Sequence, residues 1–192
     1  MPGRAFLKLL DHAHQQYGYI TPDDARELHL DPTVLRIMAA RDLIEHVHRG
    51  IYRMPAVPVT GLDEYMAAVL WTRRRGVLSH ETALDLYDLC DVNPTAIHLT
   101  VPVGWRTRKA TPATYRLHHE QLGEQDVGWH EGIPIVAPER AIRGAVADGL
   151  APGLAEQAIR TAVDRGLITG PVAAALPAER NMRAHTPRVH RA

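Results

Sequence analysis

Apolar residues recur with helical spacing at Phe6, Leu7, Leu9, Leu10, Ala13 and Tyr17, which predicts an amphipathic helix over 4–17. Thr21-Pro22 then marks a new start, because threonine can cap free amides and proline costs nothing at the first helical position. A short helix is expected over 22–28. Only His29, Leu30 and Asp31 follow before Asp31-Pro32 repeats the signal, so a second helix is expected over 32–41. Two short helices joined this tightly cross steeply, as in a helix-turn-helix. Leu28, Leu30, Leu35 and Met38 fill the angle between them. That leaves Thr33, Arg36, Ile37 and Ala40 at i, i+3, i+4 and i+7 as a solvent-facing stripe. The segment 43–54 reads as a hairpin turning at Arg49-Gly50. A two-residue turn would set Val47 opposite Tyr52 on the inner face and point His46, His48 and Arg53 outward. The first helix packs on this pair as its third, giving a winged helix-turn-helix.

Pro55, Pro58 and Gly61 break any regular element and are read as a linker that ends the first domain at 58. A helix over 62–75 follows, with Gly76 as its left-handed stop, and Ser79 caps another over 80–89. From Ala96 the period changes to two in AIHLTV, TYRLHH and DVGWHEGIPIV, which predicts strands of a small antiparallel sheet. Trp129 and Ile133 flank a Glu131-Gly132 turn, and Pro134 sets its strand at an edge or near its end. Pro138 and Pro152 open two further helices, and Gly170-Pro171 precedes a short last turn. The fold class is therefore α+β. A winged helix-turn-helix over 1–58 is followed by a mixed helical and antiparallel-sheet domain over 59–176. The tail over 177–192, rich in Arg, Pro and His, is expected to be disordered.

Composition narrows the function classes. The formal net charge is zero, and residues 1–58 carry seven Lys/Arg against seven Asp/Glu, so general charge attraction to nucleic acid is absent. The positive charge gathers late, at Arg36, Arg41, Arg49 and Arg53 against Asp42 and Glu45. The stripe suits a major groove: Arg36 to guanine or phosphate, and Thr33, Ile37 and Ala40 to thymine methyls. Arg41 and the wing residues His46, His48, Arg49 and Arg53 would meet sugar and phosphate. The bland alternative is a winged helix that docks protein rather than DNA. One cysteine excludes an intramolecular disulfide, and no apolar run approaches 18 residues, so a cytoplasmic protein without a membrane segment is expected.

Enzyme chemistry finds little support. Ser79, the only serine, sits in VLSHE rather than in a glycine-flanked nucleophile elbow. His80-Glu81, His119-Glu120 and His130-Glu131 lack a second histidine at i+4, where Leu84, Gly123 and Pro134 stand. The pairs His12/His14 and His118/His119 diverge, and His46/His48 lack a third ligand, so neither a metal nor any cofactor is expected. Cys90 reads as a core thiol. The basic runs Arg73-Arg74-Arg75 and Arg106, Arg108, Lys109 are surface charges that a partner or a nucleic acid could use.

Three stretches, RDLIEHVHRGIYRMP, VLSHETALDLYDLCDVNPTAIHLTVP and HEGIPIVAPERAI, stand in the order and spacing of AbiEi-type antitoxins, and the chain resembles that family over roughly 5–170. The resemblance implies a DNA-binding module that represses its own operon and a C-terminal domain needed for antitoxicity; because one winged helix covers a short site, two copies are expected to pair on inverted repeats in the promoter. It also implies a nucleotidyltransferase-like toxin as partner, counteracted by direct contact or indirectly, and no catalysis by the antitoxin itself. Residues 1–58 are then expected to bind DNA without protecting cells. One departure is Asp42, where the family usually has glycine after the recognition helix.

Overall fold

A computed structural model describes residues 3–108 and 110–176. Lys109 and the tail expected to be disordered, 177–192, lie outside the described residues. The chain divides into two compact units, Met1–Gly76 with Glu131–Ile133, and Val77–His130 with Pro134–Ala192.

The first unit contains α1 (Arg4–His14), β1 (Tyr19–Ile20), α2 (Pro22–Glu27), α3 (Thr33–Ala39), β2 (Glu45–His48), β3 (Ile51–Arg53) and α4 (Asp63–Trp71). Helix α1 stops short of Tyr17 because the chain turns left-handed at Tyr17 (φ 55°) and Gly18 (φ 85°). There the Gly18 amide donates to the Ala13 carbonyl at 2.8 Å. A side chain on Gly18 would also press on Val57, its Cβ at 3.2 Å from that of Val57. Thr21 and Asp24 form a capping box at the start of α2. At the start of α3 the Thr33 amide donates to Asp31 Oδ1 at 2.7 Å. Both helices end on a left-handed residue, His29 (φ 57°) and Asp42 (φ 55°). After α2, His29 N–H donates to the Arg26 carbonyl and Leu30 N–H to that of Ala25. After α3, Asp42 N–H donates to Ala39 and Leu43 N–H to Met38. This is the Schellman arrangement twice over, and it makes the turn between the helices as short as the sequence requires.

Leu35 and Met38 are buried with Leu9, Ala13, Ile20 and Ala25, while Leu28 and Leu30 pack against that core. The wing is a three-stranded sheet in the order β1-β3-β2, so a strand at Tyr19–Ile20 joins the expected hairpin. Its register differs from expectation. His48 pairs with Ile51 across the Arg49-Gly50 turn, but a bulge then makes His46, not Val47, the partner of Tyr52. One extra residue on β2 leaves Val47 unpaired and exposed.

The first unit also runs past 58. Segment 55–61 is a connection within it, with Val57 buried and its amide donating to Met54. Helix α4 packs beside β3. Gly76 is not the left-handed stop of α4; Arg73 (φ 56°) and Arg74 (φ 57°) take that role. Gly76 is needed for closeness instead, since a Cβ there would lie 2.6 Å from Thr72 Oγ1.

The second unit contains β4 (Val77–Leu78), α5 (His80–Leu86), β5 (Ile97–Val101), β6 (Tyr115–His119), β7 (Val127–His130), β8 (Ile133–Val136), α6 (Pro138–Asp148), α7 (Pro152–Asp164) and α8 (Gly170–Ala175). Its sheet has the order β6-β5-β4-β8-β7. The sheet is mixed rather than antiparallel: β4 and β5 are antiparallel, but β4 pairs with β8 and β5 with β6 in parallel. The long connection 102–114 carries the chain back to start β6 beside the start of β5, which no tight hairpin could do. Glu131 (φ 48°) and Gly132 (φ 80°) form the expected turn into β8, and Pro134 sits near the beginning of that interior strand. Helix α5 packs on α6, α6 on α7 and α7 on α8. Among the described residues no helix is long and apolar enough to cross a membrane.

Candidate nucleic-acid interface

Helix α3 presents two faces. Leu35 and Met38 are sealed in the core, whereas Thr33, Arg36, Ile37, Ala40 and Arg41 are all exposed, with Ile37 46% accessible. The wing adds His46, His48 and Arg49, also exposed, and the His46 ring lies 5.0 Å from that of the buried Tyr52.

Arg53 departs from the expected surface. Its side chain is 11% exposed, lies 3.6 Å from Asp63, and donates through Nη2 to the Val57 carbonyl at 2.8 Å. The ladder turns it inward because β3 is the central strand and α4 covers that side. Arg53→Ala is therefore expected to destabilise the first unit by about 1–2 kcal/mol while leaving DNA affinity unchanged wherever the variant is fully folded. Thermal melts paired with gel shifts below the transition test this. Weaker binding by the fully folded variant would return Arg53 to the contact surface.

Behind the interface, Asp24 is fully buried and gathers four groups. Its Oδ2 accepts from the Thr21 amide at 2.7 Å and from the Thr21 hydroxyl at 2.8 Å. Its Oδ1 accepts from Arg74 and lies 3.1 Å from His12 Nε2. Burial pushes this carboxyl up, but the Arg74 hydrogen bond and charge, with those from Thr21, outweigh it and hold the group below the usual carboxylate range. Arg74 also donates to Gln16, so within the basic run only Arg73 and Arg75 keep a purely outward role. Asp63 repeats the pattern at α4, its Oδ2 accepting from the amide and hydroxyl of Thr60. In the second unit Arg106 and Arg108 are exposed, and Arg106 donates to the carbonyls of Val103 and Trp105.

Ser79 corrects another expectation. It precedes α5 but makes no capping bond; its hydroxyl meets His80 Nδ1 at 2.9 Å and accepts from Thr100 Oγ1 at 2.9 Å. This opens onto a group that adjacent-pair reasoning passed over. His80, His98 and His118 converge from α5, β5 and β6, with His118 Nε2 3.1 Å from His98 Nδ1 and the His80 ring stacked on His118 at 3.5 Å. Burial, and secondly the neighbouring imidazole His118, lower His80 to about 3. His98 and His118 are also lowered, chiefly by burial. The available signal was a single histidine inside the apolar strand IHLTV. Cys90 is buried and its thiol raised by burial, as a core residue should be.

A three-helix core, a helix-turn-helix closed by left-handed caps and a β-wing define the first unit as a winged helix-turn-helix. Residues 8–55 match the family described as the transcriptional regulator, AbiEi antitoxin, and over that stretch the chain is similar to that family. Asp42 holds a left-handed conformation, the one that glycine takes most readily. No curated protein sequence matches the chain. Among solved structures, the crystal structure of the RV2827C protein from Mycobacterium tuberculosis is similar, with 14% identity, a TM-score of 0.49, and coverage of 97% of this chain and 84% of that one.

Proposed function

We propose that the protein is a non-catalytic antitoxin that binds inverted repeats upstream of its own gene, represses its operon and counteracts a nucleotidyltransferase-like toxin. The observation that carries this reading is the exposed stripe Thr33, Arg36, Ile37 and Ala40 on α3, whose opposite face is core, inside the residues that match the AbiEi regulator family. Arg41, His46, His48 and Arg49 flank it as phosphate contacts. Arg73, Arg75, Arg106, Arg108 and Lys109 remain the charges to assign to the toxin or to nucleic acid. One winged helix covers a short site, so specificity calls for two copies on paired half-sites.

Full-length protein is expected to shift its own promoter at concentrations that leave scrambled DNA free. Gel shifts at physiological salt make the comparison, and equal affinity for both would overturn the repressor reading. A second reading has one observation in its favour: Ile37, Leu43 and Val47 are exposed apolar residues on a neutral module, as a protein dock would show. Retention on DNA that falls with salt supports the first reading; salt-independent capture of the toxin by this face supports the second.

A further inference from the structure

The three-histidine cluster lies within the second unit, and nothing in the proposed regulation uses it. His98 and Thr100 stand on one face of β5, and the parallel register sets His118 beside Thr100. His80, the first residue of α5, is held left-handed (φ 53°) and buried above them. One face of its ring stacks on His118. The other meets Gly144 of α6, where a Cβ would lie 3.0 Å from Nε2, so any larger residue would displace the ring.

From this arrangement we infer that His80, His98 and His118 form a binding site for a divalent transition-metal cation of the zinc class. The donors are of one kind, imidazole nitrogen, which suits zinc and its neighbours rather than magnesium or calcium. Three histidines with an exogenous fourth ligand is a known zinc coordination set. One donor atom from each residue lies within 4.8 Å of the others. His98 Nδ1 and His118 Nε2, at 3.1 Å, are already near the roughly 3.3 Å that separates two ligands on tetrahedral zinc with bonds of about 2.0–2.1 Å. A cation entering there displaces the proton between those two nitrogens, and the ring that carried it takes a proton on its other nitrogen, so both imidazoles bind as neutral ligands. His80 completes the set by tilting its edge off the stack.

The surroundings favour metal over proton. All three rings are held neutral at ordinary pH, as ligands must be. Ser79 Oγ accepts from Thr100 and lies 2.9 Å from His80 Nδ1, and in the tautomer whose Nδ1–H donates to that oxygen the His80 lone pair is on Nε2. Such outer hydrogen bonds fix the tautomer and orientation of metal-ligating histidines. Asp148 and Glu81 lie near enough to offset the added positive charge in part, while Arg116 opposes it. The other grouping of metal-ligand side chains among the described residues, His12, Asp24 and Glu27, is a weaker choice because Asp24 is committed to Arg74 and Thr21.

Untagged full-length protein, stripped with chelator and titrated with cobalt(II), tests the site. The expected result is uptake of one equivalent with the strong visible absorption of tetrahedral cobalt, bleached by one equivalent of zinc(II). His98→Gln and His118→Gln should each weaken uptake by about tenfold or more. A double variant of the tail, His185→Gln with His190→Gln, should leave uptake unchanged. Should the strand variants fail to fold, histidine ring-proton NMR of the unsubstituted protein decides: zinc should shift the signals of His80, His98 and His118 together. No stoichiometric uptake, uptake that survives both strand variants, uptake lost with the tail histidines, or zinc shifts confined to other histidines would each overturn the inference.

Discussion

Asp24→Ala is expected to unfold the first unit more readily than any surface substitution, lowering its stability by roughly 3 kcal/mol. The carboxylate has no exposed surface, and its removal strands Arg74, the Thr21 amide and hydroxyl, and His12 around an empty space. Arg74 is partly exposed and can turn to water, which keeps the cost near the lower end for a broken buried pair. The sign with pH follows from the lowered folded value. Stability from Asp24 is fully present above the unfolded carboxylate value of about 3.9 and is lost as pH falls through the folded one. Urea unfolding of the full chain, followed at pH 7 and again at pH 3, measures both effects. A loss below about 1 kcal/mol at pH 7 would show that water reaches the carboxylate. The same contacts bear on truncation. A fragment ending at 58 lacks Arg74 for Asp24 and Asp63 for Arg53, so the segment to cut out is 1–76.

Arg36→Ala is expected to weaken binding to the promoter by about 1–3 kcal/mol, near 5- to 150-fold, and binding to random DNA by much less. Arg36 is exposed at the middle of the α3 stripe, where a guanidinium can reach the edge of guanine. Competitive gel shifts with promoter and scrambled duplexes give both affinities. An equal loss on both duplexes would reassign Arg36 to phosphate and leave base readout to Thr33, Ile37 and Ala40.

The helix-turn-helix was legible in the sequence because its determinants are local. Thr21-Pro22 and Asp31-Pro32 start two helices within a few residues, and the spacing of Leu35 and Met38 against Thr33, Arg36 and Ile37 sorts one helix into an inner and an outer face. Position 42 is singled out by the family resemblance and not by a local signal. Other features depended on partners distant in the chain. The bulge at Val47 is a property of how β2 lies on β3, and it reorders the wing by one residue. Arg53 alternates outward by simple counting and is turned inward by α4. The parallel pairing of β5 with β6 leaves the same alternating pattern as an antiparallel one, so periodicity could not choose between them. His98 and His118 become neighbours only through that pairing, and His80 joins them through the packing of α5 on β5.

The pairing of β4 also sets an order of events during synthesis. Leu78 pairs with Leu99 on one side and with Ile135 on the other, so the central strand of the second sheet waits for a partner made more than fifty residues later. Closing so long a loop is slow, and until it closes one edge of β4 stands open. The helix-turn-helix needs nothing of the kind: its core residues Leu9 to Val57 and the Asp24 partner Arg74 emerge before Leu78 does. A ribosome therefore releases a nearly finished regulator head while the body of the protein is still unpaired, and that late-closing body is where a nascent chain most needs shelter from its neighbours.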